Sequence, residues 1–227
     1  MTSGTTAIEE EKRQFERDYY DHHNTDCETL DRVLFTTIEA LNQARIEYAL
    51  IGGVAVRGLG RPRVTNDIDI FVTPDQSERV LDELAKRGFE TEKRDPHWLF
   101  KAWRDDILVD IIFKSTGGIY FDDQMRKQVK TVNYKNVELK AVSPEDFIVI
   151  KSAAHQEVSP QHWFDALAVL VRGQINWEYL IDRARHAPRR VLSLLIYGQS
   201  IDIGVPDEVI VKLMQSLYSP QLLKESS

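Results

Sequence analysis

Between residues 48 and 71 the chain reads YALIGGVAVRGLGRPRVTNDIDIF, a stretch that narrows the choice of fold more than any other. Residues 48–51 spell a short apolar strand ending in Gly52-Gly53. Val54-Ala55-Val56-Arg57 has the character of a first helical turn, and Gly60-Arg61-Pro62 then breaks the chain. Asp67-Ile68-Asp69-Ile70 opens a second strand. Alternate residues of a strand share a face, so Asp67 and Asp69 point one way while Ile68 and Ile70 enter a core. At about 3.3 Å rise per residue the two aspartate Cα atoms stand roughly 6.5–7 Å apart, and their oxygens can converge on one or two divalent cations. Alone, a Gly-Gly after a strand is a turn, and an Asp-x-Asp is the polar face of an exposed strand. Their order and spacing together point to phosphate and metal chemistry.

The 227 residues suffice for one large domain or two small ones around a buried core. A hydrophobic content of 42% with 29% charged residues is that of a soluble globular protein. No apolar run approaches the roughly 20 residues of a membrane span, and the polar N-terminus does not read as a signal peptide, so no membrane association is expected. Cys27 is the single cysteine, which excludes an internal disulfide framework and makes the cytoplasm the expected location. The net charge of −7 argues against nucleic-acid binding by bulk charge but leaves room for a local basic groove, and hence for an RNA partner. Arg57, Arg61 and Arg63 cluster where a polyanionic nucleotide would need them, or else form a solvated basic loop.

Residues 1–25 are expected as a flexible or exposed helical segment, helical over 8–20, with His22-His23 as a loop pair because zinc would need a second cysteine. Residues 25–28 fit a capping box ahead of a helix bearing Leu30, Val33, Leu34, Ile38 and Leu41. Thr73-Pro74 predicts an N-cap and first-turn proline for a helix carrying Val80, Leu81 and Leu84, which Gly88 ends. Strands over 97–103 and 107–113 follow, joined by a hairpin turn at Arg104-Asp105-Asp106. The second is apolar at every position except Asp110. In a strand buried on both sides a lone carboxylate is costly unless it meets a cation or a basic side chain such as Arg. A helix over 121–130 and a strand or hairpin around Tyr134-Lys135-Asn136 precede Ser143, which caps the first of five helices. These run over 144–157, 161–172, 176–186, 188–201 and 206–217. The expected fold is α/β (α+β): a mixed β-sheet with flanking helices over 26–142, a C-terminal helical bundle over 143–219, and a tail from 220.

Three carboxylates on adjacent strands raise one another's pKa, a conflict that divalent cations remove. Two Mg2+ ions, with Mn2+ as the alternative, suit such an oxygen site, where they activate a hydroxyl and neutralise leaving pyrophosphate. Asp67 and Asp69 are the expected shared metal ligands. Asp110 is expected beside the attacking oxygen, as a further ligand that can also take its proton. Gly52 and Gly53 let backbone N–H groups approach phosphate oxygens, while Thr65 can add a hydroxyl contact and Arg63 a charged one. Neither GxxxxGK[ST] nor GxGxxG occurs, so neither a Walker A loop nor a Rossmann dinucleotide site is expected.

The pattern Gly52-Gly53-x-Ala55, Arg63-x-Thr65-x-Asp67-x-Asp69 and a later Asp110 resembles the nucleotidyltransferase superfamily with the DNA polymerase β-like fold. More narrowly it is similar to the minimal bacterial and archaeal members, among them AbiEii-type toxins and the aminoglycoside and lincosamide nucleotidyltransferases. Ser143-Pro144-Glu145-Asp146-Phe147, with Lys151 and Asp165, resembles the stretch that opens their helical part. The resemblance implies Mg-dependent transfer of NMP from an NTP to an acceptor hydroxyl on a small molecule, an RNA end or a protein, with release of pyrophosphate. It also implies that Lys151 contacts the triphosphate, although the position equally suits a surface lysine, and it brings an antitoxin partner into view. Val54 stands where the commonest signature has Ser, which removes one phosphate-binding hydroxyl. The alternative reading is a catalytically idle nucleotide-binding or partner-binding module of a toxin–antitoxin-like system.

Overall fold

The computed structural model describes residues 24–59 and 63–222. The expected helix over 8–20, the His22-His23 pair and the Gly60-Arg61-Pro62 break lie outside the described residues. Helix α1 (Asn24–Gln43) precedes strand β1 (Ala49–Leu50), short helix α2 (Gly53–Gly58) and strand β2 (Asp67–Phe71). A 3-10 turn over Pro74–Gln76 leads into α3 (Ser77–Ala85), followed by β3 (Glu90–Asp95), β4 (Leu99–Arg104) and β5 (Ile107–Ile112). Next come α4 (Asp123–Gln128), β6 (Lys130–Tyr134) and β7 (Val137–Ala141). The remainder is helical: α5 (Pro144–Ala154), α6 (Gln161–Arg172), α7 (Trp177–Arg183) with a 3-10 turn over Ala184–His186, α8 (Pro188–Ser200) and α9 (Asp207–Leu222).

One seven-stranded sheet has the order β3-β4-β5-β2-β1-β7-β6. It is mixed as expected: β2 runs parallel to β5 and β1 parallel to β7, while the other neighbours are antiparallel. The central strands bury one face, with Ile68, Ile70, Val109 and Ile111 fully enclosed. One continuous apolar core reaches from Leu30 on α1 to Leu213 on α9. Two hairpins close as their sequences suggest. Asp105 and Asp106, like Lys135 and Asn136, take positive φ, which two-residue turns need to match strand twist.

Several local expectations are corrected. Helix α1 already includes Asn24, so Thr25 lies within the helix rather than at its cap. Thr73 makes no side-chain cap, and the α-helix starts only at Ser77, whose hydroxyl donates to the Pro74 carbonyl at 2.8 Å. Strand β3, Glu-Thr-Glu-Lys-Arg-Asp, was not expected. It forms the sheet edge, where one flank needs no partner and charged side chains stay in water. Strand β5 alternates buried and half-buried residues instead of being enclosed on both sides. Asp110 therefore sits on a face that opens into a cleft.

Candidate active site

Parallel pairing of β2 with β5 sets Asp69 opposite Asp110 and Asp67 opposite Leu108. Strand alternation then places Asp67, Asp69 and Asp110 on one face of the sheet, each half-buried. Opposite that face stand α5 and α6, and between them lies a cleft of about 510 Å³. Ile51, Asp69, Asp110, Ile112, Ile150 and Lys151 contribute to its lining. Of the residues expected at the site, Asp69, Asp110 and Lys151 line this cleft, and Asp67 is their neighbour along β2.

The carboxylates feel one another. Burial, then the charge of Asp67, pushes the Asp69 carboxyl up to about 6, with Lys151 opposing and Asp110 adding to the rise. Asp110 is also raised, chiefly by burial, against the pull of Lys101. Lys151 is 8% exposed, so it is no surface lysine. Burial lowers its pKa while Asp69 and Asp165 hold it up.

Gly52 and Gly53 have a clear steric reason. A Cβ on Gly52 would fall 1.5 Å from Asp69 Oδ2, and one on Gly53 would fall 2.2 Å from Thr65 Oγ1. Neither glycine has positive φ. The pair is thus required by close approach of the second half of the motif, a contact that sequence alone does not display. Thr65 is buried, and its hydroxyl donates to Asp67 Oδ1 at 2.6 Å, aligning that carboxylate.

Of the expected basic cluster, Arg57 and Arg63 are held by other protein groups. Arg63 donates through Nε and an η-nitrogen to both oxygens of the fully buried Asp165, each at 3.2 Å, tying the β2 approach to α6. Arg57 reaches the Arg63 carbonyl at 2.7 Å and the Tyr134 hydroxyl at 2.9 Å, so it braces the same segment. In the stretch opening the helical part, the acids are structural. Ser143 Oγ accepts the Asp146 N–H, Asp146 accepts from buried Arg183 at 2.7 Å, and Glu145 accepts the Asn176 N–H at 2.6 Å.

Several groups at the cleft escaped sequence reading. Lys101 donates to Asp110 Oδ1 at 2.7 Å. His162 on α6 has its pKa lowered to about 4, first by burial and then by the charge of Lys151. Trp98, 43% exposed at the cleft, is pinned through Nε1–H to Asp95 at 3.0 Å. Lys114 and the glycine turn Gly117-Gly118, both at positive φ, complete that wall. Only the register of β4 with β5 could have flagged Lys101, and nothing local marks His162.

Among the described residues, no group of three or more His, Cys, Asp or Glu side chains is gathered tightly enough to hold a metal by itself. The hard oxygen donors of Asp67 and Asp69, and the mutual repulsion that lifts Asp69, nevertheless suit a divalent cation whose remaining ligands come from a bound phosphate or water.

A mixed sheet, a glycine pair packed on Asp69 and Thr65, and a helical cover together suit a nucleotidyltransferase. The chain belongs to the family described as nucleotidyl transferase of unknown function (DUF2204), which matches residues 31–195. Comparison with curated proteins gives no match. Among solved structures it is similar to the antibiotic-resistance factor ANT(2'')-Ia in solution, at 16% identity and TM-score 0.56, over 76% of this chain and 98% of that one. The crystal structure of ANT(2")-Ia with adenylyl-2"-tobramycin matches at 17% identity and TM-score 0.56, over 71% and 98%. A lincomycin-bound lincosamide antibiotic adenylyltransferase matches at 18% identity and TM-score 0.47, over 61% and 94%. At these identities the two ANT(2'')-Ia matches speak for the fold alone.

Proposed function

We propose that the protein transfers a nucleoside monophosphate from an NTP to an acceptor hydroxyl in the cleft between the sheet and α5–α6. The observation that carries this reading is the line of carboxylates on β2 and β5, set at the cleft floor beside the buried ammonium of Lys151. Asp67, aligned by Thr65, and Asp69, packed on Gly52, would hold the Mg2+ or Mn2+ of the bound nucleotide. When bound, that cation supplies charge neutralisation on the phosphates. Lys151 lines the same cleft and turns its ammonium toward the triphosphate position. Arg63 serves as a brace through Asp165, and the Gly52-Gly53 backbone borders the phosphate position.

In the transfer, the acceptor oxygen bonds to the α-phosphorus as the bond from that phosphorus to the bridging oxygen breaks, releasing pyrophosphate. Asp110, whose Oδ1 is held by Lys101, offers Oδ2 to the acceptor proton. Apart from Asp69 and Asp110, the charged and titratable lining of the cleft is His97, Lys114, Lys151 and His162. With Trp98 beside them, these groups suit an acceptor that carries a flat ring. An antitoxin partner and a cytoplasmic setting remain compatible with this reading; among the described residues no helix is long and apolar enough to cross a membrane.

The test is incubation with each α-labelled NTP and Mg2+ against RNA, protein extract and small-molecule panels that include aminoglycosides. Label should enter one of these acceptors and should disappear with Asp110→Asn. Nucleotide binding without transfer to any acceptor would instead support the idle module.

A further inference from the structure

Lys101 and Asp110 are direct cross-strand partners on β4 and β5, and Asp110 is in turn the direct partner of Asp69 on β2. Three neighbouring strands therefore carry an ammonium and two carboxylates in one row on one face. The Lys101 and Asp110 side chains are 20% and 17% exposed, so their contact at 2.7 Å is shielded in a way that surface ion pairs are not. A two-ion site needs a carboxylate free to bind the ion beside the attacking oxygen, within about 3.5–4 Å of its companion. Here that carboxylate already has a cation. A divalent ion on Asp110 would stand next to the Lys101 ammonium, with like charges in a poorly screened setting.

We propose that Lys101 is the resident counter-cation of Asp110 and takes the place of a second metal ion, so that the site accepts one divalent cation, on Asp67 and Asp69. The inference rests on the nucleotidyltransferase reading of the same cleft. Lys101 acts through Asp110: it positions that carboxylate toward the acceptor and supplies fixed positive charge where the acceptor oxygen attacks. This departs from the two-ion expectation raised by the sequence.

The experiment counts Mn2+ by electron paramagnetic resonance on the whole protein, saturated with a non-hydrolysable ATP analogue and then with its GTP counterpart. One bound Mn2+ is expected for the wild type and for Lys101→Arg, and two for Lys101→Met. The double variant Lys101→Met with Asp110→Asn should return to one. Because Lys101→Met leaves Asp110 without its partner, melting is followed in parallel: added Mn2+ should raise its Tm more than that of the wild type. Two ions on the wild type, or one on Lys101→Met when it is folded, would overturn the inference while leaving the nucleotidyltransferase reading in place. No Mn2+ on the wild type with either nucleotide would overturn both.

Discussion

Gly52 and Gly53 are fixed by what leans on them. Asp69 occupies the space of a Gly52 side chain and Thr65 that of a Gly53 side chain, so the two halves of the motif are one packed unit. Gly52→Ala must push Asp69 aside. Its nucleotidyl transfer is expected to fall by about two orders of magnitude or more, with a stability loss of about 1–3 kcal/mol in denaturant titration. Asp69 itself should be a stability liability. Its folded pKa, about 6, lies above the ordinary 3.8, so its favourable contribution is full below 3.8 and is lost as pH rises through 6. At pH 7 without metal, Asp69→Asn should therefore stabilise the protein, by about 1–3 kcal/mol at 1.36 kcal/mol per pKa unit. At pH 4 the gain should largely vanish. A variant no more stable than wild type at pH 7 would show that the carboxylate is not desolvated as described.

At the scale of elements, signals carried within one segment were legible. Helix α6 spans the residues its apolar spacing and Pro160 suggested, and Ser143 caps α5 with a Pro in the first turn. The alternation in β2 correctly separated its aspartates from its isoleucines. Edge strand β3 was not legible, because an exposed charged strand carries no hydrophobic period. Helix α7 carries the feature least visible in sequence. Arg183 is fully buried, and it donates at 2.7 Å to Asp146 on α5 and to Asp122, the cap of α4. Tyr179, one turn earlier, donates to Asp146 as well. Removing one partner strands buried charge, so Arg183→Ala should cost about 3–5 kcal/mol by chemical denaturation. Arg185→Ala, a change at an exposed residue of the following 3-10 turn, is a suitable control with little effect.

For the molecule as a whole, the sequence disclosed which residues share a face but not which faces meet. Arg63 and Asp165 are 102 positions apart, and their pairing ties α6 to the approach to β2. Lys151 and His162 reach the cleft from the helical part, and Lys101 meets Asp110 by strand register. Asp67, Asp69 and Asp110 could be singled out early because each interrupts an apolar strand. The braces around them could not, since arginines and tyrosines in loops and helices have many uses. We take residue 143 as the place where the sheet-bearing part gives way to the helical part, with one core running through both. The central claim is that Asp67 and Asp69 present the nucleotide's divalent cation to the cleft. Titration calorimetry of NTP into the wild type and into Asp69→Asn, each with Mg2+ and with EDTA, tests it directly. The account predicts binding heat in the wild type that depends on Mg2+, and its loss in Asp69→Asn although that variant melts higher. Equal, Mg2+-independent binding by both proteins would contradict it.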